Sequence, residues 1–286
     1  MVALGSYVVL VVVFLRPSLC FLTEEEILRR VETNVNSPPV NNTRLTTHLI
    51  ARYQAWWHEC SQETNPCQNG GVCTRKVLKG SEVERPPCAP MCVCPMGYSG
   101  RHCDKCDWHQ VFATERGTGQ AVLDAWTAGP DAEVLHEKSL LVEEWATLGI
   151  KKVKVVLETS EGEDVEVVFN GENTDKLSWF SKSRLISSPW TDLPGETTNF
   201  FSIEGLSHER CRRSFFISHD YNGCPGDTGW MAVVEHGPDA ICEWERVPSV
   251  ELPGILYSNA STYVRWSDES QLGRANRMVI YIKMCR

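Results

Sequence analysis

The segment Cys67–Cys103, which reads CQNGGVCTRKVLKGSEVERPPCAPMCVCPMGYSGRHC, holds six of the chain's 13 cysteines within a stretch rich in glycine and proline. A segment of about forty residues cannot bury enough apolar surface to fold by packing alone. Disulfide bonds can stabilise such a segment, because each contributes roughly 2–4 kcal/mol by restricting the unfolded chain. The cysteines therefore predict a small module that is held together by covalent cross-links.

The start of the chain indicates an oxidising compartment for these cysteines. Residues 1–20 (MVALGSYVVLVVVFLRPSLC) are typical of a secretory signal peptide, with an apolar run too short to span a bilayer. Ser18 and Cys20 place small residues ahead of a cut before Phe21. Cleavage removes one of 13 cysteines and leaves 12, an even number that favours disulfides. A zinc site would need paired short spacings with histidine and a reducing compartment, and neither is present here.

The charge and the sequons agree with an extracellular protein. The net charge is −9, and lysine and arginine form no long run, which argues against nucleic-acid binding. No later stretch is apolar enough to span a membrane. Asn41 in NNT and Asn259 in NAS are predicted N-glycosylation sites on surface loops.

The cysteine order resembles that of an EGF-like domain over residues 60–103. The flanking stretches NPCQNGGVC and CVCPMGYSGRHC carry this resemblance, through the NGG turn, the single-residue gap between Cys92 and Cys94, and the GYSG turn. The resemblance implies three disulfide pairs, namely Cys60–Cys73, Cys67–Cys92 and Cys94–Cys103. It also implies an O-GlcNAc acceptor at Ser99. The residues before Cys60 read AWWHE, which departs from the pattern of acidic and amide residues in calcium-binding members, so we expect no calcium here.

Two further cysteines flank or interrupt this module. Cys88 lies in a long insertion between the third and fourth EGF cysteines, and Cys106 follows the last of them. The two could pair with each other, or Cys106 could reach into the next domain. Cys224 and Cys242 flank a predicted strand and its turn, so a bridge between them is predicted, which would leave Cys211 and Cys285 for each other.

The remaining chain divides into a short helical segment, residues 21–59, and a longer β-rich domain, residues 107–286. In the longer domain, SLLVEEWATLG predicts a helix that Ser139 caps and Gly149 ends. Residues 150–171 alternate as a β-hairpin, with valines on one side and lysines on the other. Further strands are predicted in NFFSIEG, RRSFFISHD, GWMAVVEHG, ICEWERV, GILYS and RMVIYIKMC. We therefore expect a mainly antiparallel, sandwich-like β domain with one or two helices.

Parts of the longer domain resemble a domain that recurs in secreted invertebrate proteins, some of them from skeletal organic matrices. The stretches that carry the resemblance are VFATERGTGQAVLDAWTAG, LSWFSKSRLISSPWTDL, NFFSIEG and RRSFFISHDYNGCPGDTGWMAVVE. The resemblance implies an extracellular location and no particular activity.

Catalytic motifs are absent from the sequence. It has no nucleophile elbow, HExxH, phosphate loop or dinucleotide loop. His219–Asp220 lacks a third group, and Asp220, Asn222 and Asp227 fail the order of a calcium loop. No catalytic residue, metal or cofactor is therefore predicted. The histidine–aspartate pair and the three oxygen-bearing residues are both interpreted as loop residues.

The predicted function is that of a secreted, non-enzymatic matrix or interaction protein. A role in a biomineral organic matrix is one specific form of this prediction. Its expected partners are extracellular proteins, glycans or a mineral surface. The alternative is a lectin-like protein, suggested by ten tryptophans, of which Trp190 in SSPWTDL is the candidate for sugar stacking. Trp230 and Trp244 lie in strand patterns and are expected in the core. A secreted hydrolase ranks last.

Overall fold

The structure is a computed structural model, and it describes residues 66–77, 88–160 and 163–285. The predicted signal peptide, the helical segment 21–59, Asn41 and Cys60 lie outside these ranges. The chain divides between Lys105 and Cys106 into two compact units. None of the helices within the described residues is long and apolar enough to cross a membrane.

The first unit is a set of short strands joined by disulfides. Strand β1 (Val72–Val77) pairs antiparallel with β2 (Cys88–Val93), and β3 (Tyr98–Ser99) pairs with β4 (Lys105–Cys106). Its disulfides include Cys67–Cys92 and Cys94–Cys103, two of the pairs that the EGF resemblance implies. Cys73 is disulfide-bonded as well.

The NGG turn of this unit is fixed by close packing against a disulfide. Asn69 and Gly70 have positive φ angles of 50° and 81°. A Cβ atom on Gly71 would lie 2.6 Å from Sγ of Cys103, a distance that real Cβ contacts do not reach. Glycine is therefore required at this position by sterics.

The second unit is built from two antiparallel sheets. The six-stranded sheet contains β5 (His109–Glu115), β6 (Glu137–Lys138), β7 (Lys152–Glu158), β8 (Val165–Asn170), β9 (Leu185–Ser187) and β17 (Arg277–Lys283). Its strand order is β6-β5-β17-β7-β8-β9. The seven-stranded sheet contains β10 (Phe200–Ser202), β11 (Leu206–His208), β12 (Cys211–Asp220), β13 (Thr228–Val234), β14 (Gly254–Ser258), β15 (Val264–Arg265) and β16 (Leu272–Ala275). Its main path is β10-β12-β13-β14-β16, with β11 beside β12 and β15 beside β13.

Helical structure in the described residues is short. One α-helix, α1 (Val122–Thr127), follows β5. Turns of 3₁₀-helix occupy Leu140–Val142, Trp145–Thr147, Lys182–Arg184, Glu243–Glu245 and Ser249–Glu251.

The helix predicted in SLLVEEWATLG is wrong, because the segment forms two 3₁₀ turns instead. Ser139 does cap the first turn, since its Oγ accepts a hydrogen bond from the Leu141 amide at 3.2 Å. A 3₁₀ turn repeats every three residues. This period directs Val142, Trp145 and Leu148 toward the core together, which the 3.6-residue period of an α-helix would do less well.

The main core is shared by the two sheets. The hairpin predicted in residues 150–171 is confirmed as β7 and β8, with Val155 opposite Val167, and its inward valines join this core. Strand β13 contributes Met231 and Val233 from the other sheet. Seven tryptophans take part in this core or in the second one described next, each no more than 6 % exposed: Trp126, Trp145, Trp179, Trp190, Trp230, Trp244 and Trp266.

A second core covers the opposite face of the seven-stranded sheet. Here Ala232, Val234 and Leu256 pack with Trp244 and Trp266. The stretch ICEWERV, predicted to be a strand, instead contains the 3₁₀ turn Glu243–Glu245, because its apolar side chains cover this face rather than extend the sheet.

A buried cluster of charged side chains attaches this covering segment to the sheet. Arg213 on β12 donates a hydrogen bond from Nε to Glu245 Oε1 at 2.7 Å and lies 3.3 Å from Asp227 Oδ2. All three side chains are 1 % exposed. The guanidinium also stacks over the Trp244 ring at 4.5 Å. Burial raises the pKa of Asp227, although the neighbouring guanidinium opposes this effect.

Two disulfides close the second unit, and they correct part of the predicted pairing. Cys224 pairs with Cys242, as the flanking positions predicted. Cys106 pairs with Cys285, which confirms the alternative that Cys106 reaches into the longer domain. The Cys88–Cys106 and Cys211–Cys285 pairs are therefore wrong. Cys211 is instead a buried free thiol. The reason is topological, because β5 and β17 are neighbours in one sheet and bring the residues that flank them together.

Candidate functional site

The candidate site is a cavity of about 230 Å³ in the second unit, beside β14 and β16. Three arginines line it, Arg116, Arg246 and Arg274, together with a single carboxylate, Glu251. Its remaining wall is largely apolar and includes Ile255 and buried backbone of β14. We call this feature the arginine cavity.

Backbone hydrogen bonds hold the Arg116 wall of the arginine cavity in place. The Arg116 amide donates to the Asn276 carbonyl at 3.0 Å, so the residue is fixed where the chain leaves β5. The amides of Gly117 and Gly119 both donate to the Leu252 carbonyl, at 3.0 and 2.9 Å. Both glycines have positive φ, which their residue type allows without strain. This wall is therefore joined directly to the turn that carries Glu251.

The Arg246 wall and the floor are equally constrained. Nε of Arg246 donates to the Ala240 carbonyl at 3.1 Å, which fixes the direction of this guanidinium. The floor needs Gly254, because a Cβ atom there would lie 2.7 Å from Val247 and 2.8 Å from Val234. The cavity thus depends on a close approach of β14 to the segment that carries Arg246.

The electrostatics of the arginine cavity favour a ligand with negative charge. Arg116 Nη1 lies 3.5 Å from Glu251 Oε2, and both side chains are more than 40 % exposed. Within the described part of the chain, no side chain forms an ion pair with Arg246 or Arg274. Three guanidinium groups against one carboxylate give a formal local charge of +2 in a chain whose net charge is −9. Guanidinium groups bind carboxylate and sulfate oxygens in bidentate fashion.

The structure contradicts the proposed role of Trp190 in sugar stacking. Its side chain is 1 % exposed and belongs to the main core. Its Nε1 donates to the Ser258 carbonyl at 3.0 Å, and its amide donates to Ser188 Oγ at 2.9 Å. These bonds turn the indole inward, although the surrounding sequence SSPWTDL is polar.

The predicted modification sites differ in exposure. Asn259 is exposed on the turn after β14, and Ser261 of the same sequon is exposed as well. Ser99 ends β3 and is partly buried. Asn41 lies outside the described residues.

The polar groups considered in the sequence for catalysis or calcium binding are engaged in other contacts. His219 stacks on Tyr263 with ring centroids 4.1 Å apart, while Asp220 accepts a hydrogen bond from Asn199. Asp227 is committed to Arg213 and to the Asn222 amide. Among the residues that the structure describes, no three His, Cys, Asp or Glu side chains gather as a metal site.

Sequence reasoning missed the arginine cavity for a physical reason. Its arginines are separated by 130 and 28 positions (246 − 116 and 274 − 246), and none stands in a recognisable motif. Only the strand order of the two sheets brings them together. No family model matches the chain, so the geometry alone identifies this site.

Proposed function

We propose that the chain is a secreted, non-enzymatic extracellular protein whose second unit binds acidic glycans in the arginine cavity. The observation that carries the proposal is the set of three arginines around one carboxylate. Arginine side chains only donate hydrogen bonds, and an ionised carboxylate only accepts them. A ligand that satisfies the arginines and the carboxylate must carry anionic oxygens and hydroxyl groups close together. A sulfated or uronic sugar supplies both on one ring.

Other features support an extracellular location. The disulfides of both units, the EGF-like cysteine pattern and the exposed sequon at Asn259 are all typical of secreted proteins. The matrix interpretation of the sequence fits this proposal, because acidic glycans are common extracellular polymers. A role in a mineralised matrix stays a prediction, which proteomic analysis of mineral-associated proteins would test.

The proposal is tested by measuring the binding of chondroitin sulfate oligosaccharides to the full secreted chain by calorimetry. We expect Arg116→Gln and Arg274→Gln each to weaken binding about tenfold, since a hydrogen bond to a charged group contributes about 1.5 kcal/mol. Arg265→Gln is the matched control, because Arg265 is an exposed arginine on β15 that does not line the cavity. It should change the dissociation constant less than twofold.

Three outcomes would contradict the proposal. Equal weakening by the control and the cavity variants would indicate non-specific attraction to the surface. Equal binding of polyglutamate would identify an acidic protein segment as the ligand class. Absence of binding to sulfated and carboxylated glycans would remove the glycan function altogether.

A further inference from the structure

The three arginines of the arginine cavity differ in the contacts that they already make. Arg116 pairs with Glu251 at 3.5 Å, so these two side chains together carry no net charge. Within the described part of the chain, neither Arg246 nor Arg274 has an ion-pair partner. The formal charge of +2 in the cavity therefore belongs to Arg246 and Arg274. A ligand that matches it carries two anionic groups, one for each of these guanidinium groups.

Arg246 is fixed in place through both its backbone and its side chain. Its amide donates to the Glu243 carbonyl at 3.0 Å, and the next residue, Val247, is buried in the second core. Its Nε donates to the Ala240 carbonyl at 3.1 Å. Ala240 is itself buried, so this acceptor is held firmly by the fold. Arg246 should therefore lose little conformational freedom when a ligand binds.

The bond to Ala240 leaves one edge of the Arg246 guanidinium free. Nε has a single proton, and Ala240 accepts it. Arg246 is exposed, and no described residue accepts a hydrogen bond from its two terminal nitrogens. One proton of Nη1 and one of Nη2 point in the same direction, which matches the two oxygens of a carboxylate. A sulfate ester divides its charge among three oxygens, so a carboxylate fits this edge better.

Arg274 is free of such constraints. It lies on β16, at the edge of the main path of the seven-stranded sheet, and it is exposed. No described residue holds its guanidinium group by a hydrogen bond or an ion pair. Its long side chain can follow an anionic group over several positions. Arg274 therefore suits a second acidic group through its charge and not through a fixed geometry.

We propose that Arg246 determines the specificity of the arginine cavity by binding one carboxylate of the ligand through Nη1 and Nη2. Arg274 attracts a second anionic group of the same ligand, such as a sulfate ester on a neighbouring sugar. This inference rests on the proposed acidic-glycan function and assigns the ligand to the glycans that contain uronic acid.

The first experiment changes the ligand and leaves the full secreted chain as it is. Calorimetry compares chondroitin sulfate oligosaccharides of one length with the same oligosaccharides after carboxyl reduction and after desulfation. Carboxyl reduction replaces each carboxylate by a hydroxymethyl group. We expect it to weaken binding about thirtyfold, because two hydrogen bonds between charged groups are lost. Desulfation should weaken binding about tenfold, because one charged contact is lost.

The second experiment changes the arginines one at a time. Arg246→Lys keeps the charge but removes the paired donors, so binding of chondroitin sulfate should weaken about tenfold. Carboxyl reduction should then weaken the binding of this variant only about threefold further, because the paired contact is already absent. Arg274→Lys should keep the full effect of carboxyl reduction, about thirtyfold. Arg265→Lys is the matched control outside the cavity and should bind all three ligands as the natural chain does.

These measurements separate a specific contact from a structural role of Arg246. A structural role would weaken the binding of all three ligands equally and leave the effect of carboxyl reduction unchanged in Arg246→Lys. That result would overturn the inference, as would equal binding of reduced and unreduced oligosaccharides by the natural chain. Both results leave the acidic-glycan function standing, since sulfate would still be bound. Absence of binding to all three ligands would remove that function and this inference with it.

Discussion

Cys211 shows how burial controls the chemistry of a single residue. Its side chain is 1 % exposed, and its Sγ lies 3.4 Å from Glu245 Oε1 within the charged cluster around Arg213. Desolvation raises the pKa of this thiol to about 12, with smaller contributions from the nearby carboxylates, while Arg213 acts in the opposite direction. Because the thiolate is the reactive form, this cysteine should be inert in the folded protein although it is unpaired.

We predict that iodoacetamide near pH 8 fails to label Cys211 in the native chain. With a pKa of about 12, the thiolate fraction at that pH is roughly one in ten thousand. The same reagent should label it fully in guanidinium chloride, since unfolding restores the ordinary pKa. Mass spectrometry of the peptide that contains Cys211 measures both states. Rapid labelling of the native chain would show that the thiol is accessible, contrary to its burial.

The sequence around Trp190 predicts an exposed side chain, and the structure shows a buried one. Trp190 follows a proline in a polar stretch, a pattern typical of a surface loop. Its burial depends on hydrogen bonds to Ser188 and to Ser258, and the second of these is distant in sequence. No local pattern predicts such a bond.

At the scale of elements, helix α1 obtains its N-terminal cap from a distant strand end. Ala121 at the cap position offers no side-chain acceptor. Glu235, which follows β13, accepts hydrogen bonds at Oε1 from the amides of Val122 and Leu123, at 2.7 and 3.1 Å. Its other oxygen lies 3.1 Å from Arg212 Nε, and its side chain is fully buried. One carboxylate thus joins the helix to the seven-stranded sheet.

We predict that Glu235→Gln lowers the free energy of unfolding by about 2 kcal/mol. The substitution replaces a carboxylate oxygen by an NH₂ group, which then faces the guanidinium donors of the half-buried Arg212. Breaking a buried ion pair by removal of one partner is costly. Urea denaturation at neutral pH measures the change. Glu196→Gln is the control, because that side chain is 47 % exposed, and its effect should stay within about 0.5 kcal/mol. Similar values for the two variants would refute the contribution of this ion pair.

The same residue should make stability depend on pH in a defined direction. Burial, its largest influence, raises the pKa of Glu235 above the ordinary value of 4.5. The folded chain then holds this proton to higher pH than the unfolded chain. The contribution of the group to stability is therefore greatest in acid and declines as the pH rises from 4.5 to the raised pKa. A difference curve between the natural chain and Glu235→Gln should show this decline.

Elements with a regular side-chain period were predictable from the sequence, and the others were not. The alternation in residues 150–171 allows only one register of strand pairing, because a shift of the pairing by one residue would turn the inward valines toward solvent. The segments SLLVEEWATLG and ICEWERV carry apolar residues at spacings that several structures satisfy. Which structure forms depends on the sheet face that must be covered, and that face is assembled from distant strands.

At the scale of the whole molecule, the two units rely on different sources of stability. Among the residues of the first unit whose side chains are described, only Gly71, Gly97 and Cys103 are buried. Burial of apolar surface therefore contributes little there, and its disulfides contribute correspondingly more. The second unit has two cores rich in tryptophan, phenylalanine and valine.

The Cys106–Cys285 disulfide has a mechanical consequence when the chain is stretched. Tension applied from either side of the pair passes through the sulfur–sulfur bond, because the 179-residue span between the two cysteines is bypassed. Single-molecule stretching of the oxidised chain should therefore show no extension from the second unit. After reduction, the same span should release roughly 600 Å, at about 3.4 Å for each residue. Release of that length without reductant would mean that the sheets, and not the covalent link, carry the force.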